Sequence, residues 1–198
     1  PAQSFRRRMV LDLLAAQGGP KRYLDIGSGQ GDLAVEVAER WTDADIAGIE
    51  LSHRGVEIAS TKVPRGRFAQ FDLLSGEPPL PGFGAWATHA TCSEVLEHVD
   101  EPEAFLCAAR RWLAPGATLV VTVPGGPMSA FDHHVGHRRH YTVAELTALL
   151  EGAGFEVSEC GGAGFPFFNL YRRTVIARGE RLVDDVDADG GVPLVARA

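Results

Sequence analysis

Apolar residues Phe5, Met9 and Leu13, with Val10 and Leu14 beside them, recur at three- and four-residue spacing after Ser4, which predicts a helix with Ser4 as its N-cap. Gly18, Gly19 and Pro20 stop it. The short apolar run KRYLDIG, 21–27, then enters a glycine cluster, and from Leu33 the helical period returns through Val37 and Trp41, so strand, glycine turn and helix follow one another. The alternation continues with predicted strands at 45–51, 66–71, 84–92, 117–123 and 155–160, and predicted helices near 53–62, 94–98, 102–113 and 143–151. Pro102 suits a first-turn position, Thr142 and Glu145 have capping-box spacing ahead of Leu146, Leu149 and Leu150, and Gly152 and Gly154 supply a stop. Repeated strand–helix units predict an α/β fold: a Rossmann-like, doubly wound, mostly parallel sheet with helices on both faces. Its ligands belong at the carboxyl ends of the strands.

Composition narrows the class. The 198 residues fit one domain, read as an N-terminal helix (1–20), a cofactor-binding half (21–125), a substrate-side loop with the last crossover (126–180) and a tail (181–198). Lys plus Arg is 19 against 26 Asp plus Glu, a formal charge of -7, which argues against bulk nucleic-acid binding. Cys92, Cys107 and Cys160 are too few and odd in number for a disulfide framework and read as small buried hydrophobes in a reducing compartment. No run of about 18 apolar residues suggests a membrane span, and the arginine-rich start lacks a cleavage site, so the expected location is cytoplasmic. Oligomeric state is not legible.

The chemistry begins at LDIGSGQG, Leu24 to Gly31, where Asp25 closes a strand and Gly27, Ser28, Gly29 and Gly31 follow. A dinucleotide fingerprint needs its third glycine where this chain has Asp32, so an NAD-dependent oxidoreductase fails there. A carboxylate at Asp25 is also awkward beside a pyrophosphate, whereas it suits a ligand carrying an ammonium group and no phosphate. These residues resemble the first motif of the class I S-adenosylmethionine-dependent methyltransferases, and the resemblance covers roughly residues 5–160. It implies S-adenosylmethionine as cofactor and S-adenosylhomocysteine as product, with the glycine loop against the methionine half. Glu50, ending the second strand, would take the ribose hydroxyls, since a carboxylate accepts two such hydrogen bonds. Asp72 would meet the adenine amino group, Leu51 and Leu73 would flank the ring, and Ser93 would complete the set.

CSEVLEHVDEP, Cys92 to Pro102, is similar to the stretch after the fourth strand in the ubiquinone- and menaquinone-pathway methyltransferases. On an α-helix, Glu94 would share one face with Glu97 and His98. Relatives that bind magnesium through this pattern make a metal-assisted hydroxyl methyltransferase of RNA or sugar one alternative. Magnesium prefers all-oxygen octahedral sites, however, and no metal is assigned.

Four histidines, His133, His134, His137 and His140, fall in FDHHVGHRRHYT, which the resemblance places over the methyl-donating centre. His137, beside Gly136 and Arg138, is the first candidate for a general base and His98 the second. His133, His134, Arg138 and Tyr141 are candidates for binding the acceptor, together with Phe165 from the aromatic run GFPFF. A zinc site in this loop lacks a recognised cysteine or carboxylate partner. VPLVARA is a poor terminal strand, leaving the family's terminal hairpin in doubt. The reading is methyl transfer to an O or N nucleophile of a small molecule, in a bacterial biosynthetic pathway. A non-catalytic cofactor-binding partner subunit is the other alternative.

Overall fold

The computed structural model describes residues 2–76 and 80–163. Among the described residues, one compact unit comprises those up to Val95 together with Glu101–Thr122, and the other Leu96–Asp100 with those from Val123 to Ala163. The first unit holds α1 (Ala2–Ala16), β1 (Arg22–Ile26), α2 (Asp32–Arg40), β2 (Asp45–Glu50), α3 (His53–Lys62), β3 (Arg67–Gln70), β4 (Ala87–Ser93), α4 (Pro102–Arg110) and β5 (Leu113–Thr122). The strands pair in parallel in the order β3-β2-β1-β4-β5. The order reverses at β1, so the loop leaving its carboxyl end opens on the switch point where such sheets bind ligands.

Consecutive buried residues in β1, β2 and β4 show that the sheet is covered on both faces, as parallel sheets require. Val10, Leu11 and Leu14 of α1 and Leu33, Ala34 and Val37 of α2 cluster with Tyr23, Ile46 and Val120 of the sheet. On α2 that is the expected face, with Trp41 packed against it, whereas on α1 the inward stripe is Val10, Leu11 and Leu14, and Phe5, expected on it, is 47% exposed. Trp112 is also buried, with Phe71 edge-on to it at 5.2 Å.

Several expected boundaries need correction. The first helix starts at Ala2, so Ser4 lies inside it rather than capping it; Ala2 and Gln3 are good helix formers and the turn propagates through them. The fourth helix stops at Arg110 because Trp112 enters the core and Leu113 pairs with Ala87. The ladder is then irregular past Pro115 and Gly116 and resumes at Thr118, so β5 begins four residues before the expected 117. The buried-cysteine reading holds for Cys92 and fails for Cys107, which is exposed on α4, and for Cys160, which is half-buried.

In the second unit, α5 (Ala130–His134) and α6 (Val143–Gly152) each carry a full capping box, Ser129 with Asp132 and Thr142 with Glu145. Only the latter was expected. The 94–98 helix is replaced by a 3-10 turn, Leu96–His98, and Glu94 stands outside it at φ 58°. The 155–160 strand is also absent: that stretch is coil, because Phe155 and Val157 alone alternate and a strand exists only by pairing. Phe165, VPLVARA and the tail lie outside the described residues.

Candidate functional site

The first unit builds a polar cradle at the end of β1. Gly31 sits at φ 76° as the N-cap of α2, and a Cβ there would come within 2.9 Å of the Ala59 Cβ and 3.0 Å of its Cα, so glycine lets α2 start tight against α3. Gly29, at φ 52°, has nothing within 4 Å of where its Cβ would be, leaving one face of the loop open to a ligand. Its N–H donates to Glu50 Oε2 at 3.0 Å, while Ser52 N–H donates to Oε1 at 2.9 Å. Each oxygen of that carboxylate thus takes one backbone donor and keeps capacity for a second, which is what a pair of hydroxyls requires. Ser28 Oγ is buried in the same loop with no hydrogen-bond partner.

Asp25 lies beneath the loop, 3% exposed, and its register partner on β4 is Thr91, whose Oγ1 donates to Oδ1 at 2.9 Å. Thr91 Oγ1 in turn lies 2.6 Å from the Tyr23 hydroxyl. Burial pushes the Asp25 carboxyl up to about 7; the Thr91 hydrogen bond pulls it down and the nearby Glu50 charge pushes it further up. A carboxyl so poised becomes a full negative charge when a cation binds beside it. An open backbone face, a hydroxyl-accepting carboxylate, an orphan buried hydroxyl and an acid tuned for a cation together fit an adenosyl sulfonium amino acid. Asp32, in contrast, occupies the first turn of α2, where a dinucleotide loop needs a glycine, and its carboxylate pairs with Lys62.

The remaining expected cofactor residues are placed unevenly. Leu51 is 55% exposed and available to a ring, whereas Leu73 is 6% exposed and offers little surface. Asp72 Oδ1 accepts from Leu74 N–H at 2.8 Å, capping the 3-10 turn Leu73–Ser75. Ser93 Oγ is 2.7 Å from Thr122 Oγ1. Glu94 is held by Arg6 at 3.0 Å and by the Thr122 hydroxyl at 3.2 Å. Its strained backbone and these partners replace the helical face on which a Glu94, Glu97 and His98 metal set depended.

The second unit gathers the histidines. The His98 and His137 rings meet edge-on at 4.8 Å and those of His137 and His140 at 5.3 Å. His98 Nδ1 lies 3.2 Å from the Gly136 carbonyl, so it carries the proton and leaves Nε2 as the basic nitrogen. By the same logic His140 Nδ1–H donates to the Gly126 carbonyl at 3.0 Å, and His140 Nε2 accepts from His137 Nδ1 at 3.1 Å. His137 therefore also presents Nε2 as its basic nitrogen. His133 is exposed and His134 half-buried. Arg138 and Tyr141, expected to orient an acceptor, are engaged by the scaffold: Arg138 pairs with Asp100 at 2.7 Å and donates to the His98 carbonyl, and the Tyr141 hydroxyl donates to the Leu96 carbonyl. Sequence reasoning missed Asp132, whose S-x-x-D spacing from Ser129 was the available signal.

The sheet order, the glycine loop and the acid at the end of β2 define a Rossmann-like fold of the class I methyltransferase type. Residues 2–159 match the family model described as a methyltransferase domain, and the chain belongs to that family. It is 27% identical over 173 residues to the ubiquinone biosynthesis O-methyltransferase of Thiobacillus denitrificans, covering 77% of this chain and 72% of that one. To the demethylmenaquinone methyltransferase of Thermus thermophilus it is 35% identical over 130 residues, covering 63% and 57%. Among solved structures, the [4+2]-cyclase SpnF superposes with a TM-score of 0.61 at 29% identity, covering 76% of this chain and 57% of the other. The chain thus spans less than two thirds of the last two. The family implies S-adenosylmethionine as methyl donor, and no helix among the described residues is long and apolar enough to cross a membrane.

Proposed function

We propose that this chain transfers a methyl group from S-adenosylmethionine to an oxygen or nitrogen of a small-molecule acceptor, within a bacterial biosynthetic pathway. Support comes from the cradle of Gly29, Glu50 and Asp25 on a methyltransferase-family sheet, and from relatives named for ubiquinone and menaquinone biosynthesis. The bound cofactor supplies an electrophilic methyl group on a positively charged sulfur. The acceptor lone pair forms the new bond to that carbon, the carbon–sulfur bond breaks with its electrons left on sulfur, and S-adenosylhomocysteine departs. Glu50 holds the ribose hydroxyls and Asp25 the cationic amino acid end, and neither touches the proton in flight. His137 takes the acceptor proton at Nε2, with His98 the second candidate; the assigned tautomers leave that nitrogen basic in both. Orientation of the two reactants is worth about 7–11 kcal/mol, against about 10²- to 10⁴-fold for a base. Positioning therefore carries most of the rate.

The test is calorimetric titration of the full chain with S-adenosylmethionine and, separately, with NAD, followed by a transfer assay over phenolic, carboxylate-bearing and amine acceptors. Binding of the former alone, with methylated product, is the expected result. Binding of NAD overturns the cofactor assignment, while tight cofactor binding with no transfer to any acceptor class favours a non-catalytic binding subunit.

A further inference from the structure

The loop that carries the histidines holds a second constellation, which shares His137 with the methyl-transfer reading. His137 Nδ1, His140 Nε2 and Asp132 Oδ1 form a triangle with sides of 3.1 Å between the nitrogens and 3.8 Å from each nitrogen to the oxygen. The circle through three such points, from the product of the sides over four times the area, has a radius of about 2.1 Å, which matches zinc–nitrogen and zinc–carboxylate bond lengths. Ligand atoms around a tetrahedral zinc stand roughly 3.3 Å apart, so contracting the triangle by a few tenths of an ångström lifts the ion out of the plane and opens a fourth position.

Each donor is also oriented from behind. Asp132 Oδ2 accepts Ser129 N–H at 2.7 Å and Ser129 Oγ–H at 2.8 Å, which turns Oδ1 toward the imidazoles. The His140 side chain is 3% exposed and its Nδ1–H is fixed by the Gly126 carbonyl, the usual support for a histidine that ligates through Nε2. The Asp132 carbonyl accepts the His137 backbone N–H at 2.9 Å, tying the first ligand to the second. We propose that Asp132, His137 and His140 bind one zinc ion through two imidazoles and one carboxylate, leaving a coordination position for water or an acceptor atom. Two nitrogen donors select against magnesium, which takes oxygen ligands in octahedral geometry. The ion takes the place of the His137–His140 hydrogen bond, and binding weakens on the acid side, where protons compete for the two imidazoles.

The neighbouring group of Glu97, His98 and His137 has its donor atoms within 4.8 Å of one another and competes for the same His137, so the experiment separates the two. The full chain is stripped with chelator, then titrated with zinc against a chromophoric chelator and with cobalt as a visible probe. The expected result is one zinc per chain and cobalt d–d bands with no thiolate charge transfer. Asp132→Asn and His140→Ala should each weaken binding by a hundredfold or more, and Ser129→Ala by roughly ten- to a hundredfold. Asn retains an oxygen for Ser129, so Asp132→Asn keeps the capping geometry, and unchanged circular dichroism checks it. Glu97→Gln and His133→Ala should leave affinity unchanged. Absence of stoichiometric zinc, a thiolate band, or loss of binding in Glu97→Gln with none in Asp132→Asn each overturns the proposal.

Discussion

Asp25 makes a prediction that joins stability to function. Its carboxyl titrates at about 7 in the folded chain against 3.8 when unfolded, a gap of about three pKa units or about 4 kcal/mol at 1.36 kcal/mol per unit. The sign is opposite to that of a salt-bridged acid. Between 3.8 and about 7 the folded state holds a proton that the unfolded state has released, so this group makes stability fall as pH rises through that window. Above it the full penalty is present, and below it none. Asp25→Asn removes the charge but keeps an oxygen for the Thr91 hydroxyl, so the variant should be more stable than the parent near pH 8, by up to about 4 kcal/mol, and equal to it near pH 4. Urea denaturation of both proteins across that range, plotted as a difference, reads this group together with its coupling to Glu50. The same substitution should cost function. A cationic cofactor selects the ionised acid, so the parent's affinity should drop about tenfold per pH unit below 7, whereas the variant binds weakly at every pH. Calorimetry in buffers of different ionisation enthalpy should show proton release on binding near neutrality. A stability difference that does not change with pH, or binding without proton release, refutes the assignment of a buried, cation-seeking carboxyl.

Other outcomes follow from the same geometry. Glu50→Ala should abolish S-adenosylmethionine binding in calorimetry while the chain still folds, and normal affinity in that variant contradicts the ribose assignment. Gly31→Ala forces a Cβ against Ala59 at positive φ and should cost about 2–4 kcal/mol in denaturant unfolding, whereas Gly29→Ala, with open space around it, should cost about 1–2 kcal/mol and act mainly on cofactor affinity. Arg65 donates to the carbonyls of Ala38, Trp41 and Ala44 at the end of α2, so Arg65→Ala should destabilise by about 1–3 kcal/mol, and Arg65→Lys should not restore it because an ammonium cannot span that fork. Stoichiometric zinc should slow methyl transfer in the parent and leave the residual rate of His137→Ala unaffected.

What the sequence disclosed depended on how local each signal was. The glycine turn, the place of Glu50 at the end of β2 and the Thr142–Glu145 box could be read because backbone conformation and capping are set within four or five residues, and α3 spans 53–62 as its period indicated. Glu94 could not: helical spacing put it beside Glu97 and His98, but a pairing with Arg6 from the first helix and Thr122 from the last strand holds it at positive φ outside any helix. The strand expected at 155–160 failed for a related reason, since a strand is made by its neighbour and two alternating apolar residues do not supply one. Asp72 was identifiable as an acid at a strand end, yet its capping of the following turn emerges only from the coordinates of that turn. Asp132 carried a weak signal, because its capping box belongs to a five-residue helix, Ala130–His134, too short to show a helical period.

The two readings of the histidine loop meet in one imidazole and constrain each other. A neutral histidine has one proton and one lone pair on its ring, so the contact made by Nδ1 decides what Nε2 can do. With His137 Nδ1–H donated to His140, Nε2 is a base; with Nδ1 on zinc, the proton moves to Nε2 and that base is gone. Metal occupancy therefore does not merely stiffen the loop. It would transfer the basic role to His98, whose own Nδ1–H is fixed by Gly136 and whose Nε2 lies outside the Asp132 triangle, or to a hydroxide on the open zinc position. In His98→Ala the zinc-loaded rate persists if the hydroxide is the base and is lost if His98 is.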